Sequence, residues 1–173
     1  MAMLAISAEK LANRPTSAPR ICLGAEVLYC EGLERMPHLN DLCIQGTNVL
    51  LLELPITPWS ESLFDTVGTL LRDFRVVLAH IDRYLPKHRE EIEVLLDMGA
   101  LAQINTDALA GLFGKSRISP FLTDERVVAL GSDLHGTDSK AVDRFSAAEK
   151  KLGNTHKAIM ARSADLLKNA KTI

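Results

Sequence analysis

Five short apolar runs alternate with segments of helical periodicity along this chain, and that alternation restricts the fold more than any other feature. The runs are mostly apolar throughout, which is typical of parallel strands buried on both faces. The predicted strands are Arg20–Cys30, Asn48–Pro55, Arg75–His80, Leu101–Asn105 and Val127–His135. Strands alternating with helices in this way predict an α/β fold, with about five parallel strands covered by helices.

The helical segments lie between and after these strands. Apolar residues recur at helical spacing most clearly at Leu63, Val67 and Leu70. Pro86 is placed where a first helical turn tolerates proline, and Gly99 stands just past the end of the same segment. The predicted helices cover residues 60–73, 86–98, 106–122, 139–152 and 156–169.

Composition excludes several classes of protein. The chain has 173 residues, 47% of them hydrophobic and 24% charged, which fits one globular domain over residues 1–173. The net charge is −2 and aromatic residues are scarce, which argues against a nucleic-acid-binding surface. No apolar run approaches the roughly 20 residues that a membrane span requires, so we expect no membrane insertion and a cytoplasmic location.

Polar residues cluster at the predicted strand ends. They are Glu26 in the first strand, Glu53 at the end of the second, His80 at the end of the third with Asp82 and Arg83 beyond it, Asn105 at the end of the fourth, and Asp133 and His135 at the end of the fifth. Ligands bind at the carboxyl ends of the strands in α/β sheets and barrels. Imidazoles and carboxylates converging there can hold Mn²⁺, Fe²⁺ or Zn²⁺, so we predict a divalent metal site.

Each of these residues also has an ordinary structural explanation. A single histidine at a strand end, such as His80, is more often hydrogen-bonded than bound to a metal. Glu26 and Glu53 could be partners of nearby arginine or lysine, and Arg83 could pair with Asp82 or with a helix C-terminus. The whole group is harder to explain in this way, because burying several carboxylates without a cation costs free energy. The other histidines lie away from the strand ends and are interpreted as solvated: His38, His88 and His156.

Four short motifs occur in the order found in a known family. They are Gly24–Val27 (GAEV), Leu51–Pro55 (LLELP), Ala79–Tyr84 (AHIDRY) and Ser132–His135 (SDLH). In this order they resemble the polymerase-and-histidinol-phosphatase (PHP) metallohydrolases. The resemblance is to the bacterial tyrosine-protein phosphatases of capsule and exopolysaccharide loci in particular, and it extends from about Ile21 to the C-terminus.

The resemblance implies a fold, a cofactor and an activity. The fold is a distorted β/α barrel with metal ions, often manganese, at the carboxyl ends of its strands. Glu26, His80, Asp133 and His135 match the metal ligands of the family, and Arg83 matches a catalytic arginine near the substrate phosphate. The implied reaction is metal-dependent hydrolysis of phosphotyrosine in a protein such as a bacterial tyrosine kinase. The metal is expected to be Mn²⁺, with Fe²⁺ and Zn²⁺ as alternatives.

The sequence departs from the family pattern in three places. The family's Ala-His-Pro-Glu-Arg is Ala79-His80-Ile81-Asp82-Arg83 here. The family usually carries a phosphate-facing arginine after the Asp-x-His motif, whereas the nearest cation here is Lys140, which we assign to the substrate phosphate. The third departure is the absence of any His-x-His pair, with which the family begins. We therefore expect a partial barrel, corresponding to the C-terminal part of the family barrel, with an incomplete metal cluster.

A partial barrel has consequences for assembly and function. The first strand would expose an unpaired edge and apolar surface, so we expect a homo-oligomer, or a partner that supplies the missing strands. Three functions stay open on the sequence. The chain is a metal-dependent tyrosine phosphatase, a catalytically inactive remnant acting as a binding or oligomerisation module, or a small-molecule phosphoesterase.

Overall fold

Five parallel strands form one sheet in this protein. The structure is a computed structural model and describes residues 21–109, 112–133 and 140–169. The strands are β1 (Glu26–Leu28), β2 (Val49–Glu53), β3 (Arg75–Leu78), β4 (Leu101–Asn105) and β5 (Val127–Gly131). They lie side by side in chain order, each parallel to the next. A doubly wound sheet would reverse its order at a switch point, so this order is that of a barrel wall. The predicted α/β fold with five parallel strands is confirmed.

Helices connect and follow the strands. They are α1 (Glu61–Leu70), α2 (Leu85–Asp97), α3 (Leu112–Leu122), α4 (Ala141–Leu152) and α5 (Asn154–Leu166), with 3₁₀ turns at Leu33–Arg35, Leu39–Leu42, Ile81–Arg83 and Thr106–Leu109. As predicted, Pro86 lies in the first turn of α2 and Gly99 follows its end, with a φ of 112°. The single helix predicted over 106–122 is instead a 3₁₀ turn followed by α3, and residues 110–111 between them lie outside the described ranges.

Four of the five predicted strands are shorter in the structure, β2 by one residue at its start and two at its end. β1 begins only at Glu26, because Ala25 donates its N–H to the carbonyl of Leu42 at 3.0 Å instead of pairing with a strand. β3 ends before His80 and β5 ends before Asp133, because both residues adopt a left-handed backbone, with φ of 33° and 45°. That conformation does not continue a strand. The leucine and histidine that follow Asp133 lie outside the described residues.

The two faces of the sheet differ in what they carry. Side chains alternate along a strand, so every second residue shares a face. On one face the strands pack against the helices through residues of the main core: Leu50, Leu52, Val76, Leu78, Ala102, Ile104 and Val127. The opposite face carries Val49 and Val77, which belong to a second apolar cluster. The alternation places the polar residues Glu53, Gln103 and Asn105 on this second face.

A cavity of about 310 Å³ lies on the second face, and the polar residues Gln103 and Asn105 are part of its lining. Its lining includes Leu51 and Ala129 from the sheet and Leu166 from α5. Helix α5 is fixed to β5 through two side chains, since Arg162 Nε donates to the carbonyl of Val127 at 2.8 Å and Ser163 Oγ donates to the carbonyl of Val128. The second face is therefore apolar at its centre and polar at its rim.

Among the described residues, no helix combines the length and the apolar character that crossing a bilayer would require.

Arg126 joins α2 to the beginning of β5. Its guanidinium lies 2.9 Å from a carboxylate oxygen of Glu93, 2.5 Å from one of Asp97 and 2.7 Å from one of Asp124. Hydrogen bonds from Arg126 to the Asp124 side chain hold the pKa of that carboxyl below its ordinary value, against the opposing effect of burial. The Asp124 carboxylate therefore favours the folded state as long as it is ionised.

Asp124→Asn should lower the free energy of unfolding by about 1 to 2 kcal/mol at neutral pH, because it removes the charge from the hydrogen bonds to Arg126. The folded pKa of Asp124 is depressed, so its contribution is complete above the ordinary Asp pKa of about 4. It is then lost as the pH falls through the folded value. Urea unfolding at a series of pH values measures this.

Asp165→Asn is the matched control, because this exposed carboxylate pairs with Lys168 at 3.3 Å on the surface of the chain. Its effect should stay within about 0.5 kcal/mol. A difference between wild type and Asp124→Asn that persists unchanged into acid would contradict the assignment.

Candidate metal centre and its surroundings

Glu26, Glu53 and His80 form a compact group on the second face of the sheet. His80 Nε2 lies 3.1 Å from Glu26 Oε1 and 3.6 Å from Glu53 Oε1. One ligand atom from each residue lies within 4.8 Å of the other two. The His80 side chain is 2% exposed and that of Glu26 is 39% exposed, so the imidazole lies beneath the carboxylates. The parallel strands produce this proximity, since Glu26 begins β1, Glu53 ends β2 and His80 follows β3.

Arg83 bridges two carboxylates beside this group. Its Nη1 donates to Glu53 Oε1 at 2.7 Å, and its Nη2 donates to Asp133 Oδ2 at 3.0 Å. Arg83 thus forms these ion pairs with residues 30 and 50 positions away, rather than with its neighbour Asp82. The guanidinium offsets part of the repulsion among the carboxylates of the rim.

Asp82 joins the 3₁₀ turn after β3 to the end of β4. Its Oδ1 accepts the main-chain N–H of Asn105 at 2.8 Å. Burial raises the pKa of Asp82, and the hydrogen bond from Asn105 opposes that shift. The acidic residue in the altered Ala79–Arg83 motif therefore joins the turn after β3 to β4 through this hydrogen bond.

A chain of amide hydrogen bonds connects His80 with Asp133. The His80 main-chain N–H donates to Gln103 Oε1 at 2.5 Å. Gln103 Nε2 donates to Asn105 Oδ1 at 2.7 Å, and Asn105 Nδ2 donates to Asp133 Oδ2 at 3.2 Å. Gln103 and Asn105 lie two residues apart on β4, so both side chains leave the same face of the sheet.

Tyr84 connects the turn that carries His80 to the end of β2. Its hydroxyl donates to the carbonyl of Leu54 at 2.7 Å, and its ring centroid lies 5.8 Å from that of His80. Burial, together with the negative charge of Glu53, raises the pKa of Tyr84 to about 12. The hydroxyl therefore stays protonated at neutral pH and remains a hydrogen-bond donor.

Comparison with models of protein families matches residues 3–171 to the family described as capsular polysaccharide synthesis, CpsB/CapC. The match covers nearly the whole chain. The chain belongs to the CpsB/CapC family. The resemblance inferred from the four motifs, to phosphatases of capsule loci, is thus confirmed at the level of the family.

A solved structure shares the fold of this CpsB/CapC family member. It comes from a study of YwqE from Bacillus subtilis and CpsB from Streptococcus pneumoniae, described there as unique metal-dependent tyrosine phosphatases. The TM-score is 0.67 at 22% sequence identity, and the alignment covers 87% of this chain and 65% of that chain. The likeness is therefore one of fold, and the chain spans about two thirds of that relative. A search of curated proteins found no match.

Most of the site residues predicted from sequence lie together. Glu26, His80, Arg83 and Asp133 are joined by the contacts given above. His135, predicted as a further metal ligand, lies outside the described residues. Lys140, predicted to bind the substrate phosphate, is exposed immediately before α4, and its role stays a prediction.

The donor set fits a divalent cation. Two carboxylate oxygens and one imidazole nitrogen are ligands that Mn²⁺, Fe²⁺ and Zn²⁺ accept. In the described part of the site, Arg83 pairs with the carboxylates of Glu53 and Asp133, and the carboxylate of Glu26 contacts His80. A divalent cation would reduce the repulsion between the neighbouring carboxylates of Glu26 and Glu53. The Nε2 atom of His80 faces the carboxylates and is the nitrogen able to serve as a ligand.

Sequence reasoning missed one residue of this site and assigned another only in part. The apolar run Leu101–Asn105 predicts a strand but assigns no role to Gln103, although a polar residue two positions before Asn105 must share its face. Glu53 was noted at a strand end, but the resemblance did not match it to a metal ligand. The structure places it in the compact group with Glu26 and His80.

Two histidines interpreted as solvated are largely buried. The ring of His88 stacks on Trp59 with centroids 4.3 Å apart, and the His156 ring packs edge-on against Phe145. That interpretation is wrong for both, because a helix contributes one face to the core and polarity alone does not tell which face a histidine occupies. His38 is exposed, as predicted.

Glu26→Gln and Glu53→Gln should each weaken Mn²⁺ binding by more than about tenfold, since that loss is typical even of residues that only support a ligand. Both substitutions keep the size of the side chain and remove the charge. Isothermal titration of metal-free protein measures the affinity. Glu91→Gln is the matched control, because Glu91 pairs with His88 at 3.4 Å in a similar carboxylate–imidazole contact elsewhere. Equal affinity in all four proteins would show that the group is not the metal site.

Proposed function

We propose that this CpsB/CapC family member is a metal-dependent phosphatase that hydrolyses phosphotyrosine in proteins. The observation that carries the proposal is the compact group of Glu26, Glu53 and His80 with Arg83 beside it. Two comparisons support the proposal. The chain shares its fold with proteins described as metal-dependent tyrosine phosphatases, and its family is named for capsular polysaccharide synthesis. The proposed substrate is a bacterial tyrosine kinase acting in capsule or exopolysaccharide synthesis, with the reaction in the cytoplasm.

The metal is proposed to be Mn²⁺, with Fe²⁺ and Zn²⁺ as alternatives that accept the same donors. Glu26, Glu53 and His80 would hold it, and Asp133 and His135 are proposed as further ligands. A divalent cation held there would make a bound water more acidic and would neutralise negative charge on the phosphoryl oxygens. The buried imidazole and partly exposed carboxylates leave the centre open to solvent on one side, where a substrate can approach.

Arg83 is proposed to bind the phosphate of the substrate. Its guanidinium is partly exposed and is oriented by Glu53 and Asp133, so its position is fixed before substrate arrives. A planar guanidinium binds two phosphate oxygens at once, which a lysine cannot do in the same way. Lys140 is proposed as a second, weaker phosphate contact.

Arg83→Met should reduce the kcat/KM for p-nitrophenyl phosphate and for a phosphotyrosine peptide by about 100-fold, the usual cost of removing a charge-stabilising donor. Wild-type hydrolysis should require Mn²⁺ and disappear with a chelator. Arg35→Met is the control, because Arg35 is exposed and pairs with its neighbour Glu34, which is not part of the group of Glu26, Glu53 and His80.

The outcome of the same assay separates the alternatives. Absence of hydrolysis with Mn²⁺, Fe²⁺ and Zn²⁺ would reject the phosphatase in favour of a catalytically inactive binding module. Faster hydrolysis of small sugar phosphates than of the phosphotyrosine peptide would instead indicate a small-molecule phosphoesterase.

We also propose that the protein forms a homo-oligomer through the edge of β1. Strand β1 is the outermost strand of the described sheet, next to β2 alone. It carries Leu28, which is 58% exposed, and Leu23 close by is also exposed. An unpaired strand edge with apolar side chains is a surface that other chains pair with.

Leu28→Lys should convert a dimer into a monomer, because a charge at an exposed edge strand opposes pairing. Size-exclusion chromatography with light scattering at micromolar concentration measures the mass. Val94→Lys is the matched control, since Val94 is a similarly exposed aliphatic residue on α2, at 49%. A wild-type protein that is a stable monomer would overturn the proposed association.

A further inference from the structure

We infer that Gln103 is a positioning residue for the metal centre, because its side-chain amide fixes the main chain of His80 in the turn that directs Nε2 toward Glu26 and Glu53. The inference rests on the proposed metal site. It assigns to Gln103 no contact with metal or substrate. Its effect passes through the hydrogen bond from the His80 N–H to Gln103 Oε1.

The conformation of His80 requires such support. Its φ of 33° and ψ of 57° lie in the left-handed region, which is unfavourable for a residue with a Cβ. The hydrogen bond to Gln103 has a length of 2.5 Å, and Gln103 is only 8% exposed. A hydrogen bond buried in this way has no water to replace it, so its loss leaves the main-chain N–H of His80 unpaired.

The imidazole itself lacks the usual means of orientation. A metal-bound histidine normally donates its second ring N–H to a carboxylate, a carbonyl or a water. In His80 the other ring nitrogen, Nδ1, is buried and has no hydrogen-bond partner in the described part of the protein. The direction of the ring therefore depends on the main chain of His80 and on packing, and the main chain depends on Gln103.

Gly131 of β5 provides the space that Gln103 occupies. A Cβ at position 131 would lie 2.0 Å from Gln103 Nε2 and 2.9 Å from Asn105 Oδ1. Its backbone is that of a strand, so the requirement for glycine is steric. Any larger residue at position 131 must displace the amide of Gln103, and with it the support of His80.

Gln103→Met tests the inference, because it keeps the length of the side chain and removes both hydrogen-bonding groups. Mn²⁺ affinity should fall about 10- to 100-fold, the range known for residues that support a metal ligand. In the metal-free protein, the ¹⁵N resonances of the His80 ring should shift. Thr106→Val is the matched control, since Thr106 follows Gln103 on the chain by three residues, is buried, and has a hydroxyl without a hydrogen-bond partner among the described residues. Thr106→Val should change neither the Mn²⁺ affinity nor the ¹⁵N resonances of the His80 ring.

Gly131→Ala provides a second, independent variant. It should weaken Mn²⁺ binding in the wild-type background to a similar extent. In a Gln103→Ala background it should add little, because the shorter side chain has already vacated the space. If Gly131 and Gln103 affected Mn²⁺ affinity independently, the losses of affinity from the two substitutions would add.

The outcomes distinguish this inference from the proposal on which it rests. Wild-type protein that binds no Mn²⁺ would overturn the proposed metal site, and the inference with it. Wild-type binding that persists unchanged in Gln103→Met, with unshifted His80 resonances, would overturn the inference alone. So would a loss of affinity that merely follows the unfolded fraction measured by thermal denaturation.

Discussion

Repulsion among carboxylates is the constraint around which the rim of this sheet is organised. Glu26, Glu53 and Asp133 would repel one another, and two like charges 4 Å apart cost about 4 kcal/mol at an effective dielectric constant of 20. Arg83 offsets part of this cost by bridging Glu53 and Asp133. Glu26 is engaged by the neutral or protonated imidazole of His80. A group with this surplus of oxygen donors is suited to a divalent cation, which is why a metal centre explains it better than a set of separate ion pairs.

The scaffold fixes that group by joining neighbouring strand ends, one pair at a time. The Tyr84 hydroxyl joins the turn after β3 to the carbonyl of Leu54 after β2. Asp82 joins the same turn to β4 through the Asn105 N–H, and the Asn105 side chain reaches Asp133 after β5. Each of these bonds links a side chain to an element distant in sequence. These bonds therefore fix the turn after β3 and the described strand ends relative to one another, as a catalytic or binding site on rigid elements requires.

Much of the composition of the site can be predicted from the pattern of strands and polar residues in the sequence. Parallel strands bring their carboxyl ends to one rim, so Glu53, His80, Asn105 and Asp133 could be grouped before any distance was known. The sequence did not reveal that Gln103 supports His80. A single polar residue within an apolar strand has the same appearance whether it is a core residue or the partner of a turn. The strand ends were also misplaced, because the left-handed backbones of His80 and Asp133 arise from the contacts around them.

The sequence by itself determined the class of fold, the family and the residue types of the rim, because hydrophobic periodicity and motif order are local properties of the chain. Only the tertiary structure decided how those residues are paired. The contacts of His80 with Glu26 and of Arg83 with Glu53 and Asp133 join residues 54, 30 and 50 positions apart. Their distances depend on strand register and on turn conformation, and both are set by packing across the whole sheet.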